Sequence, residues 1–251
     1  MSAPENETTS DVTEAQLRAR LDEVRSCIDA SARRAGRDAR EVTLVSVSKT
    51  HPASLVARAI RAGARDLGEN KVQEAEEKIA EIGSGGELPA RWHLIGHLQS
   101  NKARRAVELF DLIHTVDSVA LVGRLERLCE EVNRAELPVL VQLSLAGEAT
   151  KAGAQVNGLP PIVERINACA RVRLAGLMTM PPFAEDREES RAYFRVLREL
   201  RDEWRARGAF ASSTGELSMG MSHDYEVAIE EGATIVRVGT AIFGAREKPR
   251  G

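Results

Sequence analysis

The chain has 251 residues, a net charge of −3 at pH 7, and 43% hydrophobic, 29% charged and 4% aromatic residues. That length suits one large domain; the acidic balance excludes bulk attraction to phosphate backbones, and the scarcity of aromatics excludes a stacking surface for single-stranded nucleic acid. Cys27, Cys129 and Cys169 are odd in number and far apart, so they predict neither a disulfide framework nor a zinc site, and a reducing cytoplasm is expected.

Residues 1–12 read as a polar, disordered tail, and no apolar run is long enough to cross a bilayer. Thr13 and Gln16 make a capping box, after which Leu17, Leu21, Val24 and Ile28 recur at helical spacing up to Ala35-Gly36. An extra helix thus precedes the first strand. Strands are predicted at Val42–Ser48, Asp66–Gly68, Trp92–Ile95, Leu112–Thr115, Val139–Leu143, Leu174–Met178, Glu216–Ser218 and Ile235–Val238. Helices are predicted between them at Leu55–Ala62, Lys71–Ile82, Lys102–Phe110, Val119–Arg134, Ile162–Ala170, Glu188–Arg207 and Glu226–Glu231. Eight strands with helical crossovers predict a single (β/α)8 barrel over residues 13–251. The competing architecture, an open doubly wound sheet, lacks a Gly-x-Gly-x-x-Gly turn after the first strand.

Working groups of such a barrel stand at the carboxyl ends of its strands. The basic residues are mostly arginine, with lysine only at 49, 71, 78, 102, 151 and 248. Lys49 ends the first strand in Val45-Ser46-Val47-Ser48-Lys49-Thr50, where a period of two puts it on the face of Val45 and Val47. Desolvation there favours a neutral amine able to condense with an aldehyde; a lysine paired with a buried carboxylate is the competing reading, and both stand on this feature alone. The loops after the last two strands, Ser218-Met219-Gly220-Met221-Ser222-His223 and Gly239-Thr240, carry hydroxyls and glycines into helix starts, which is phosphate-binding chemistry at the place where barrels put it.

Val47-Ser48-Lys49-Thr50, Gly68-Glu69-Asn70, Trp92-His93-Leu94-Ile95-Gly96, Leu98-Gln99-Ser100-Asn101-Lys102, Leu217-Ser218-Met219-Gly220-Met221-Ser222 and Arg237-Val238-Gly239-Thr240-Ala241-Ile242-Phe243-Gly244 together closely resemble the pyridoxal phosphate homeostasis proteins, the YggS/PROSC family. The resemblance implies a barrel like the N-terminal domain of alanine racemase, of PLP fold type III, with pyridoxal 5′-phosphate (PLP) held as a Schiff base on Lys49. It further implies phosphate contacts from Ser218, Ser222, Gly239 and Thr240, Arg237 facing the pyridine nitrogen, and Asn70, His93 and Met219 lining the pocket. Lys151 matches a lysine often present in the family, whereas His51 and His97 stand where many bacterial relatives have lysine and proline.

The function implied is cytoplasmic buffering of PLP and its delivery to apo-enzymes, without catalytic turnover. The alternative is a PLP-dependent amino-acid racemase-like enzyme. A two-base racemase needs a second acid opposite the lysine, usually a tyrosine, and a second β domain; Tyr193 and Tyr225 are the only tyrosines, and the chain stops soon after the last barrel helix. A monomer is expected for the same reason. His93 and His97 have an i, i+4 interval, but on a strand end and its loop, so no metal site is expected. Glu126, Glu130 and Glu131 with Arg124, Arg127 and Arg134 are expected to form a solvated charged face.

Overall fold

A computed structural model describes residues 12–84, 89–146, 152–210 and 214–244. Eight parallel strands follow one another in chain order and close into a barrel: β1 (Thr43–Val47), β2 (Asp66–Glu69), β3 (Arg91–Leu94), β4 (Leu112–Val116), β5 (Leu137–Leu143), β6 (Val172–Thr179), β7 (Glu216–Met221) and β8 (Ile235–Val238), with β8 pairing back onto β1. The outer helices are α1 (Glu14–Arg34), α2 (Ala53–Ala62), α3 (Val72–Ser84), α4 (Ala103–Leu109), α5 (Val119–Glu131), α6 (Leu159–Asn167), α7 (Arg191–Ala206), α8 (Tyr225–Glu230) and α9 (Thr240–Phe243). Each predicted strand is present, and the open-sheet alternative falls with the β1–β8 pairing.

The strands are short because their job is to bury two faces. One face builds the apolar layer beneath the helices, with Leu67, Leu94, Ile113, Val139, Val141 and Val236 in it; the other fills the barrel interior, where Val45, Leu140, Met178 and Ile235 form a separate floor. The α1 capping box forms as expected, with Thr13 and Gln16 satisfying each other's backbone N–H groups. Through Leu17, Leu21, Val24 and Ile28, α1 packs against α2, α8 and α9. It thereby covers the seam between the last and first strands, which the four-residue α9 is too short to cover. Of the expected tail, residues 1–11 lie outside the described residues, and Val12 is buried against the core.

A helix start and a charged face depart from expectation for physical reasons. The predicted Glu188–Arg207 helix divides into a 3-10 turn at Arg187–Ser190 and α7, because the Asp186 carboxylate caps the turn at Glu188 N–H. The expected solvated face on α5 is kept by the exposed Arg127–Glu131 pair and corrected at two side chains: Glu126 accepts the backbone N–H groups of Ala170, Arg171 and Val172, and Arg134, past the end of the helix, donates to Val107 and Phe110 carbonyls. Both side chains tie chain ends that no strand or helix satisfies.

Candidate functional site at the carboxyl ends of the strands

β1 ends at Val47, and Lys49 lies in the turn that follows, half-buried. The strand alternation therefore ends two residues short of it, and the turn itself sets its place. That turn is built by a buried polar cluster. Ser48 Oγ donates to Glu69 Oε1 at 2.6 Å, and Lys78 Nζ donates to the Ser48 carbonyl, Glu69 Oε1 and Glu74 Oε1 at 2.7 Å each. Thr50, with a φ of 68°, donates its N–H to Glu74. Burial pushes the Glu69 carboxyl up, partly offset by Lys78 and Ser48. At the end of β2, Asn70 is so near the β3 loop that a Cβ on Gly96 would lie 2.3 Å from the Asn70 carbonyl oxygen. Only glycine permits that approach.

Across the interior runs a chain of hydrogen bonds. Arg237, on β8 and 3% exposed, donates to Ser218 Oγ and to the Thr179 carbonyl; Ser218 Oγ meets His114 Nδ1 at 2.8 Å; His114 Nε2 meets His93 Nδ1 at 2.9 Å; His93 Nε2 meets Asp66 Oδ1 at 2.9 Å. Burial, together with His93 and Arg237, holds His114 well below the usual imidazole range, so its ring is neutral. With Arg237 already donating to Ser218, one direction satisfies every atom: Ser218 O–H to His114, His114 Nε2–H to His93, His93 Nε2–H to Asp66. The chain thus links a buried guanidinium to a carboxylate that also meets Arg91 at 2.7 Å. Burial lowers Arg237 to about 10, and the Asp224 charge opposes the shift.

The loops after β7 and β8 converge. Gly239 N–H donates to Ser222 Oγ at 3.1 Å, and Asp224 Oδ1 accepts Met221 N–H at 2.7 Å while its other oxygen accepts from Ser190 Oγ at 3.0 Å. Gly220 has a φ of 90° and lies so close to α8 that a Cβ would be 2.6 Å from Ala228 Cβ. Gly239 in turn lies over β1, with Val47 O 3.3 Å from where its Cβ would be. Thr240 is exposed beside it.

The expected residues fall into three groups. Lys49, Asn70, Ser222 and Gly239 stand on loops at the carboxyl ends of β1, β2, β7 and β8, Thr240 opens α9 just beyond, and Arg237 and His93 lie buried on the strands beneath. Ser218 has no exposure, and its hydroxyl is taken by Arg237 and His114, a different use from a phosphate contact. Met219, also without exposure, packs in the apolar layer beneath the helices rather than on the interior side. Lys151 lies outside the described residues. His97 is exposed near Asp117 while His93 faces inward to other partners, and no cluster of metal-ligating groups occurs among the described residues. Sequence reasoning missed His114, Asp66 and Lys78; for Lys78 the signal was present, since a lysine inside an arginine-using chain asks for a reason.

The fold and this arrangement of loops define an alanine-racemase-type barrel: the family model for the alanine racemase N-terminal domain matches residues 20–247. Within it, the pyridoxal phosphate homeostasis protein of Escherichia coli K12 is 43% identical over 230 residues, covering 90% of this chain and 95% of its own, and that of Aquifex aeolicus is 40% identical over 228 residues, covering 91% and 97%. The chain belongs to this family of pyridoxal phosphate homeostasis proteins. PipY of Synechococcus elongatus, solved with PLP bound, superposes with a TM-score of 0.79 at 38% identity, covering 91% of this chain and all of that one. Alanine racemase of Clostridium difficile, at 15% identity, a TM-score of 0.67 and 60% of its own length covered, shares the fold.

Proposed function

We propose that this protein binds PLP and serves its homeostasis in the cytoplasm, holding the cofactor on Lys49 and passing it to apo-enzymes. The observation that carries the reading is the meeting of a half-buried lysine turn, a hydroxyl and amide cradle at Ser222 and Gly239, and a buried guanidinium at Arg237, all at one end of one barrel. These groups fit PLP. Ser222 and Thr240 suit its phosphate, since their hydroxyls are neutral donors of the kind that bind oxyanions, and Gly239, whose N–H donates to Ser222 Oγ, brings the two loops together. Arg237, kept charged and held by Ser218 and Thr179, would suit the ring nitrogen, and Asn70, at the end of β2, would border the ring. Bound PLP supplies an aldehyde able to condense with an amine.

A racemase-like activity is disfavoured by the tyrosines. Tyr225 is buried in the layer beneath the helices, and burial followed by its hydrogen bond to Cys27 pushes its phenol up. Tyr193 sits on α7. A guanidinium opposite the ring nitrogen also weakens the ring as an electron sink. The three cysteines are unpaired, in keeping with a reducing compartment, and no helix among the described residues is long and apolar enough to cross a membrane. We take the protein to act as a monomer, which light scattering can check.

The test is the absorbance of the PLP-loaded protein before and after borohydride. An imine band that disappears, with the mass increment on the Lys49 peptide, supports the reading. Lys49→Ala should lose the band and keep the fold by circular dichroism, because the barrel core does not include this side chain. A band that persists in that variant overturns Lys49 as the site.

A further inference from the structure

Lys78 is 4% exposed, and its three Nζ hydrogen bonds, to the Ser48 carbonyl, Glu69 Oε1 and Glu74 Oε1, are all 2.7 Å long. Three acceptors diverging around one ammonium match its three protons, a geometry that a planar guanidinium cannot reproduce. This explains a buried lysine where the chain otherwise prefers arginine. The cluster grips the chain on both sides of Lys49. It holds the peptide before it through the Ser48 carbonyl and hydroxyl, and the peptide after it through Thr50 N–H on Glu74. Thr50 has a φ of 68°, a conformation that a threonine keeps only where its surroundings impose it.

We propose that Lys78 is a positioning residue for the cofactor-binding amine: with Glu69 and Glu74 it fixes the turn that carries Lys49 and so aims Lys49 at the carbonyl carbon of the bound aldehyde. The proposal rests on the reading that Lys49 forms the imine. Lys78 itself is not the nucleophile, because two carboxylates and a carbonyl hold all its protons. Its contribution is orientation, and orientation enters the rate and equilibrium of condensation as effective concentration.

The experiment uses the full chain and two ligands. PLP reads ring, phosphate and amine together; pyridoxine 5′-phosphate, with an alcohol where PLP has its aldehyde, reads ring and phosphate alone. Four variants are compared with wild type: Lys78→Met, Lys78→Met with Glu69→Met, which leaves no unpaired buried charge, Lys78→Arg, and Glu74→Ala at the partly exposed edge of the cluster. Folding is followed by circular dichroism. In the folded variants, imine formation rate and PLP affinity should fall by about tenfold or more, while pyridoxine 5′-phosphate affinity stays within about twofold of wild type. Lys78→Arg should not restore the rate. Wild-type imine kinetics in any folded variant lacking Lys78 overturn the proposal, as does a parallel loss of both ligands, which marks a merely structural role. If Lys78→Met and the double variant do not fold, Glu74→Ala decides it: unchanged imine kinetics there overturn the clamp. A borohydride label on a lysine other than Lys49 in wild type overturns the functional reading itself and is seen before any variant is made.

Discussion

At the scale of single residues, the two hydroxyls proposed to bind the phosphate differ in their present commitments. Ser222 Oγ accepts the Gly239 N–H, whereas Thr240 is exposed beside it. Each would add one hydrogen bond to a charged acceptor, worth about 1.5–3 kcal/mol, or roughly one to two decades in Kd. Ser222→Ala and Thr240→Val should therefore each weaken PLP by that amount without removing the imine band, and titrations equal to wild type for both would put the phosphate elsewhere. Ser218→Ala should behave differently, because it strips Arg237 and His114 of a shared partner in a fully buried place. It should lower stability by about 1–3 kcal/mol even without cofactor, as denaturant unfolding will show. The residues proposed to face the cofactor stand out in the sequence as lysine, hydroxyl and glycine at strand ends. The chain beneath them was not legible there: His93 entered only through the family resemblance, Asp66 and His114 are ordinary strand residues in sequence, and only barrel closure brings β2, β3, β4, β7 and β8 within hydrogen-bonding reach.

At the scale of elements, strand existence followed from apolar runs between turns, while strand ends depended on contacts that no local pattern records. β6 starts at Val172, two residues before the run that announces it, because Glu126 on α5 accepts the N–H groups of Ala170, Arg171 and Val172. Burial raises the Glu126 carboxyl, but those donors outweigh it and the net shift is downward. A carboxyl held below its unfolded value stabilises the fold above that value, and the contribution is lost as pH falls through the folded one. Glu126→Gln should thus cost about 1–2 kcal/mol at neutral pH, less than a fully buried anion would because the group is half open to water. The difference from wild type should shrink as pH drops below the ordinary glutamate value of 4.5. A gap in urea midpoints that stays constant down to pH 3 would show that the carboxylate charge is not what ties α5 to β6.

At the scale of the whole molecule, the question is whether a barrel with this mouth holds PLP for transfer or uses it for chemistry. Binding to the folded state alone adds about 2.7 kcal/mol at a hundredfold excess over Kd, and for a chain of this size each kcal/mol moves Tm by roughly 2–4 °C. PLP should raise Tm by roughly 5–10 °C under that condition, and Lys49→Ala should keep only the part that comes from phosphate and ring. Turnover demands more than affinity: a second acid or base must stand across from Lys49. Neither tyrosine of the chain is placed for it, since Tyr225 bonds Cys27 in the outer layer and Tyr193 lies on α7; the interior histidines are neutralised by burial or spent on the chain to Asp66. Condensation with an incoming amine needs only the lysine, so the imine band should shift slowly when amino acids are added. Loaded protein mixed with a PLP-dependent apo-enzyme should restore that enzyme's activity, while L- and D-amino acids incubated with the loaded protein alone should show no sustained racemisation. Turnover within the usual enzymic range of about 1–10³ s⁻¹, abolished by Lys49→Ala, would replace the carrier with a racemase-like enzyme.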